Sequence, residues 1–311
     1  MSGRSGGSSS SRPPLVPSGW SSRPWSFGAL PWVSPEEAAV VVLPAPFEAT
    51  VSYRPGTRSG PQAIIDASRN MELYEEETGT EPGLAGIATL AEPELPTAPE
   101  EALAVLEPVC HQWLATGKFL VTLGGEHTVS LAPIRAAAKA LGQVSVLQLD
   151  AHADLRDSYL GSPLSHACTM RRALEAAPVV AVGVRSFSAE EAAFMRERGL
   201  SPLLAQDIHR QGLDRLAQNI IQRLGPRVYI TIDLDVFDPS VMPAVGTPEP
   251  GGLGWYETLN LLREVAAQRE VVGFDVVELC PLPGNPASDY CAARLIFKLL
   301  AYVLQRRGLT G

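Results

Sequence analysis

The chain has few cysteines and no C-x-x-C pair: Cys110, Cys168, Cys280 and Cys291 lie scattered through 311 residues. Such spacing suits buried thiols in a reducing compartment and argues against a disulfide framework or a zinc knuckle. Long apolar runs are also missing. The longest are strand-sized, so no segment is expected to span a membrane. The amino terminus lacks an apolar signal core, which makes a cytoplasmic protein the expectation. Positive charge is scarce as well, with 25 Lys+Arg against 34 Asp+Glu and a net charge of −9. That balance argues against nucleic acid or an anionic membrane as a partner, and it is compatible with a cationic substrate. What remains is apolar enough, at 45%, for one large α/β domain or two ordinary ones.

Residues 1–33 are rich in Ser, Gly, Pro and Arg, the composition of a flexible tail. Trp20, Trp25, Phe27 and Trp32 interrupt it, and residues 20–33 are expected to dock on the body or on a neighbouring subunit. From residue 34 to 311 one domain is expected, with neither an internal repeat nor a linker. Glu37–Leu43 reads as a first strand ending at Pro44, and Pro61 opens a helix running to about Tyr74. A weak strand at 85–90 and a helix at 99–116 follow. Strands and helices then alternate: strands at 118–123, 145–150, 178–185, 202–206, 227–234 and 271–277, and helices at 129–141, 163–176, 189–198, 213–224, 255–268 and 289–307. That alternation predicts a three-layer α/β/α fold around a mostly parallel central sheet.

Three of those strands run out into acidic or histidine-bearing loops: Gly124-Gly-Glu-His127, Asp150-Ala-His-Ala-Asp154 and Asp233-Leu-Asp-Val-Phe-Asp-Pro239. Residues two apart in an extended chain share a face, so Asp150, His152 and Asp154 aim the same way. Carboxylates crowded with imidazoles resist burial unless a cation sits between them, and a divalent metal is the simplest occupant. The carboxyl edge of an open parallel sheet is also where ligands bind. Asp238 reads as a turn residue before Pro239, and His111 and His209 match no motif.

In order and spacing, these three motifs resemble the metal-binding motifs of the ureohydrolases, the arginase and agmatinase family. The resemblance runs from about residue 37 to the carboxyl terminus, with Glu126 standing where the first motif usually has Asp. It implies an arginase-like fold and a site for two manganese ions per subunit, held by His127, Asp150, His152, Asp154, Asp233 and Asp235. The donor types agree: four carboxylates and two imidazoles form an oxygen-rich set suited to manganese. Six ligands exceed what one catalytic zinc uses, and they suit two metals about 3.5–4 Å apart. The activity implied is hydrolysis of a guanidino compound to urea and an amine by a hydroxide bridging the metals. Glu278, in Phe274-Asp-Val-Val-Glu-Leu-Cys-Pro281, matches the family's substrate-binding glutamate, and His166 looks like its proton-shuttling histidine. Asp154 is counted with these two in the catalytic set. Trimers or hexamers are implied too.

Two loops, Ser52–Ala63 and Gly246–Gly252, look more like agmatinase than arginase sequences. After Asp154 come Leu155, Arg156 and Asp157, where an arginase would present Asn and small polar residues. Agmatine, giving urea and putrescine, is therefore the first substrate expected. Arg156 leaves room for a substrate carboxylate, as in 4-guanidinobutyrate, and guanidine and arginine stand behind these. A one-zinc deacetylase is disfavoured because His127 and Asp235 are both present. A non-catalytic paralogue is disfavoured because no ligand is missing.

Overall fold

Strand-sized apolar runs become eight parallel strands in a computed structural model that describes residues 25–310. They are β1 (Val40–Ala45), β2 (Ile87–Thr89), β3 (Phe119–Gly124), β4 (Ser145–Leu149), β5 (Val179–Val184), β6 (Leu203–Leu204), β7 (Arg227–Asp233) and β8 (Glu270–Val277). Their order across the sheet is β2-β1-β3-β8-β7-β4-β5-β6. Apart from Arg227 and Glu270 at their amino ends, the four central strands are buried throughout, which is why their sequences read as continuous apolar runs rather than as alternation.

Helices cover both faces. On one side lie α1 (Gly60–Ser68), α6 (Ala205–Gln211), α7 (Leu213–Arg223), α8 (Trp255–Gln268) and α9 (Ala287–Arg306). On the other lie α2 (Pro99–Ala115), α3 (Leu131–Leu141), α4 (Thr169–Ala173) and α5 (Ala189–Arg198). Two separate apolar clusters, one per face, complete the expected three layers. Sequence-adjacent strands β3 and β4 sit on opposite sides of the β8–β7 pair. The winding therefore reverses there, and such a switch point opens a crevice beyond the carboxyl ends of the strands.

Several boundaries differ from the sequence reading. The first strand includes Pro44, which is tolerated because β2 pairs with β1 only as far as Val42. The helix expected to reach Tyr74 stops at Ser68, whose hydroxyl is engaged with the Ile65 carbonyl and the Gly28 amide. The strand expected at 202–206 shrinks to two residues, and Ala205–Gln211 is a helix instead. The helix expected at 163–176 is a 3-10 turn, His166–Cys168, followed by the short α4. Of the amino-terminal aromatics, Phe27 is fully buried, its amide bonded to the Thr89 hydroxyl, while Trp25 and Trp32 are exposed. Trp20 lies outside the described residues. Among the described residues no helix is long and apolar enough to cross a membrane.

The chain between α1 and β2 is pinned by a charge cluster rather than by helix. Lys298 on α9 is buried and bonds Glu75, Glu76 and Glu77 at 2.6, 2.7 and 3.1 Å. Glu75 is wholly buried. Lys298→Met leaves that carboxylate without its cation and is expected to cost about 3–5 kcal/mol of stability. Adding Glu75→Gln should recover part of the loss. A double-mutant cycle by chemical denaturation measures the coupling, and additive effects would refute it.

Candidate metal centre and guanidinium pocket

The four central strands deliver all the acidic motifs to one edge. Leu149 of β4 is level with Ile232 of β7, and Asp233 of β7 is level with Val277 of β8. Residues just beyond these positions must therefore meet. Gly125 makes the first loop feasible, since a Cβ there would lie 2.0 Å from the Phe47 carbonyl oxygen.

His127 stands at the centre of one group. Its Nδ1 lies 2.9 Å from Asp154, 3.2 Å from Asp150 and 3.5 Å from Asp233. His152 centres the second, with Nδ1 2.9 Å from Asp235 and 3.7 Å from Asp150. The sets His127–Asp150–Asp233 and Asp150–His152–Asp235 each bring their ligand atoms within 4.8 Å of one another. Asp150 belongs to both, the position a bridging carboxylate would occupy. Thus the six residues expected as ligands converge.

The tautomer of His127 tests whether these groups fit a cation. Its Nε2 is 3.0 Å from Thr231 Oγ1, and that hydroxyl donates to Asp275 at 2.7 Å. Thr231 has spent its proton, so Nε2–H donates and Nδ1 is the nitrogen that faces the carboxylates. Facing three carboxylate oxygens, Nδ1 needs either a second proton, which burial opposes but Asp150 and Asp154 favour strongly enough to hold the His127 pKa well above its usual value, or a metal cation between them. The proton affinities agree. Burial and neighbouring Asp150 push Asp154 up to about 7. Burial, Asp235 and Asp150 raise Asp233 well above the carboxylate range. Burial alone would lower His152, yet Asp235 and Asp150 drive it up to about 12. The cluster draws in positive charge, and with hard oxygen donors and two imidazoles it suits a pair of divalent cations.

Glu278 follows β8. Its Oε1 accepts the His127 amide at 2.7 Å, and its carboxylate faces the same cavity as the acidic cluster. Gly246 packs beside the other oxygen, where a Cβ would stand 3.5 Å from Oε2, an ordinary contact distance. Burial, reinforced by Glu126, raises the Glu278 pKa well above the usual range, again a demand for a cation. Glu278 and Asp154 both hold positive φ, 66° and 52°. Left-handed backbone at non-glycine residues is uncommon and gathers at functional sites.

The cavity above, about 240 Å³, is lined by these residues together with Ser52, Arg156, Tyr159 and His166. His166 is half-buried, and burial lowers its pKa. Arg156 lies 5.1 Å over the Tyr159 ring, its Nε 4.0 Å from Glu191. Asp238 is a turn residue, accepting from Ser240, Gly251 and Gly252. His111 lies on α2, and His209 is exposed beside the Gly251 carbonyl, so neither joins the site.

Residues 38–301 match the arginase family. The chain is 40% identical to an N(1)-aminopropylagmatine ureohydrolase from Synechocystis over 275 residues, covering 86% of this chain and 89% of that protein. The chain belongs to the arginase family. An agmatinase from Pyrococcus horikoshii is 35% identical over 274 residues, covering 87% and 94%. The crystal structure of an agmatine ureohydrolase from Thermoplasma volcanium superposes with a TM-score of 0.83 at 35% identity, covering 89% and 93%.

Within this ureohydrolase frame, sequence reasoning missed the residues that hold the ligands in place. Arg185 is the largest omission: its guanidinium bonds the carbonyls of Asp235, Val236, Phe237 and Glu249, bracing the third motif against the 246–252 loop. Gln148, two before Asp150, donates to its carboxylate at 2.9 Å and could have been read from the period-2 pattern. Asp275, a charge inside an apolar strand, was the clearest signal passed over. Second-layer partners of this kind orient ligands and set their basicity.

Proposed function

We propose that this ureohydrolase cleaves the guanidinium of a cationic amine, agmatine or its N1-aminopropyl derivative, releasing urea and the polyamine. The observation that carries the reading is Glu278: a buried carboxylate that lines the same cavity as the acidic cluster, with only Oε1 committed to the His127 amide among the described hydrogen bonds. A planar guanidinium matches such an acceptor in charge and in geometry. His127, Asp150, His152, Asp154, Asp233 and Asp235 would hold two manganese ions, which when bound supply a water activated to hydroxide at neutral pH. Glu278 orients the guanidinium over that position. His166 in the cavity wall moves the proton that the departing amine needs.

The relatives' names support both amines, since proteins called aminopropylagmatine ureohydrolase and agmatinase both resemble this chain. The tail end of the pocket favours an amine over a carboxylate. Arg156 lies over the Tyr159 ring with its Nε 4.0 Å from Glu191, so part of its charge is answered within the pocket wall. Half-exposed Glu249, with Oε1 3.7 Å from His152, adds negative charge near the site. Residues 34–311 would act as one catalytic domain, in a cytoplasmic trimer or hexamer that light scattering can size.

Urea release by the manganese-loaded protein tests the reading, with agmatine, N1-aminopropylagmatine, arginine, 4-guanidinobutyrate and guanidine assayed side by side. Turnover should be highest for one of the two amines. Arg156→Gln should leave that rate within about threefold, as for a charge outside the reacting centre. A preference for 4-guanidinobutyrate that Arg156→Gln removes would overturn the amine reading and make Arg156 a carboxylate clamp.

A further inference from the structure

Glu126 is wholly buried beside the metal-binding histidine yet turns away from the acidic cluster. Its Oε2 accepts the amides of Ala49 and Thr50 at 2.6 and 2.7 Å. Its Oε1 accepts the hydroxyls of Thr50 and Thr128 at 2.7 and 2.6 Å. A carboxylate offers about four acceptor positions, so all are taken and every partner is a donor.

That commitment propagates. Thr50 has a single hydroxyl proton, and Glu126 takes it. Its oxygen can then only accept, and it faces two groups of His166: the backbone amide at 3.1 Å and ring Nδ1 at 3.0 Å. Nδ1 must therefore carry a proton. In a neutral imidazole the other nitrogen is then a lone pair. Burial lowers the His166 pKa, which keeps the resting ring neutral. Nε2 points to the pocket side, 2.9 Å from Ser52 Oγ; Ser52 donates to the Tyr159 hydroxyl at the longer distance of 3.2 Å, but no carboxylate holds that proton as Glu126 holds that of Thr50, so the Ser52 hydroxyl is free to turn to the Nε2 lone pair.

We propose that Glu126, acting through the Thr50 hydroxyl, locks His166 in its Nδ1–H tautomer and so presents a basic Nε2 to the substrate. Glu126 and Thr50 are positioning residues. The inference rests on His166 as the proton-transfer group of the proposed reaction. Nε2 accepts one proton from the water that adds to the guanidinium carbon and returns it to the departing amine nitrogen as the carbon–nitrogen bond breaks, and the proton left on the added oxygen passes to the freed amine, giving urea and an ammonium. The ring begins and ends neutral, and Nδ1–H stays on Thr50 throughout. The opposite tautomer would begin with Nε2 already protonated and could not take the first proton.

Nitrogen NMR reads the tautomer directly. The full-length chain, labelled with 15N-histidine, is recorded metal-free and magnesium-loaded, and only 5 histidines need assignment. His166→Gln identifies the resonances. The parent should show Nδ1–H with unprotonated Nε2. In Glu126→Gln the new amide donates to Thr50, which releases the Thr50 proton toward Nδ1, so His166 should switch to Nε2–H. Thr50→Val should leave a mixture, and Thr50→Ser should restore the parent pattern. Manganese content should stay constant while kcat falls about 10- to 100-fold in Glu126→Gln and Thr50→Val, with KM little changed. Thr50→Val and Thr50→Ser carry the test alone should Glu126→Gln fail to fold. An Nε2–H tautomer in the parent, or an unchanged tautomer in both Glu126→Gln and Thr50→Val, would overturn the proposal. Absence of urea from every substrate would overturn the proposed function while leaving the tautomer result intact, so the two failures are separable.

Discussion

Asp150→Asn is expected to abolish both manganese-dependent stabilisation and turnover while leaving the fold in place. Asp150 is the corner common to the two ligand sets and is completely buried. Its oxygens also accept the His152 amide at 2.6 Å and Gln148 at 2.9 Å, so both are engaged before any cation arrives. An amide keeps the shape but removes the shared negative charge and one acceptor. In the parent, a cation that binds only the folded chain adds about 2.7 kcal/mol at a hundredfold excess over its Kd. Thermal unfolding of the variant should not respond to manganese, and metal analysis should find sub-stoichiometric loading. Losing about 4 kcal/mol of charge stabilisation lowers the rate by about three decades. A variant whose melting point rises with manganese as the parent's does would remove Asp150 from the bridging position.

How much of this was readable in advance follows from what is local. Asp150, His152 and Asp154 share a face through the two-residue period of an extended chain, and every motif stands immediately after a strand. Parallel strands with a common carboxyl edge then bring the ligands together with no further information. Long-range pairing carries no such mark. Thr50 reaches His166 across 116 residues, and Glu75 reaches Lys298 across 223. The helix expected through Tyr74 overran for that reason: residues 69–74 look helical in isolation, but the glutamates that follow, Glu75, Glu76 and Glu77, are drawn to α9. Glu126 was the most misleading. In the sequence it is only a departure from the usual Asp next to a ligand, whereas in the fold its carboxylate anchors the loop that carries Thr50.

Strain and charge are concentrated at the same few positions. The acidic cluster and Glu278 crowd negative groups in a buried space, and Asp154 and Glu278 both hold left-handed backbone. Each such residue costs on the order of 1–3 kcal/mol, which the surrounding sheet must offset. Lys298 with its glutamates, Arg185 with its carbonyls and two apolar clusters supply rigidity around the site without entering it.

Glu278→Gln separates substrate recognition from metal binding. The glutamine can still accept the His127 amide through one oxygen, so the loop and the ligand histidine keep their positions. Metal content should therefore match the parent, in contrast to Asp150→Asn. The guanidinium, however, loses its only designated anion. Truncating one side of a buried, hydrogen-bonded charge pair costs about 2–5 kcal/mol, which predicts a fall of about 30- to 5,000-fold in kcat/KM for the amine substrates. The loss should appear in kcat as well as KM, because a guanidinium held by a neutral amide is no longer fixed above the metals in a reactive orientation. Glu278→Asp, which restores charge but withdraws it by one methylene, should recover metal-neutral binding without full turnover. Steady-state urea release, with manganese quantified in the same samples, makes the distinction. Unchanged kcat/KM in Glu278→Gln would transfer the guanidinium to another carboxylate of the cluster, and loss of manganese would make Glu278 part of the metal centre instead.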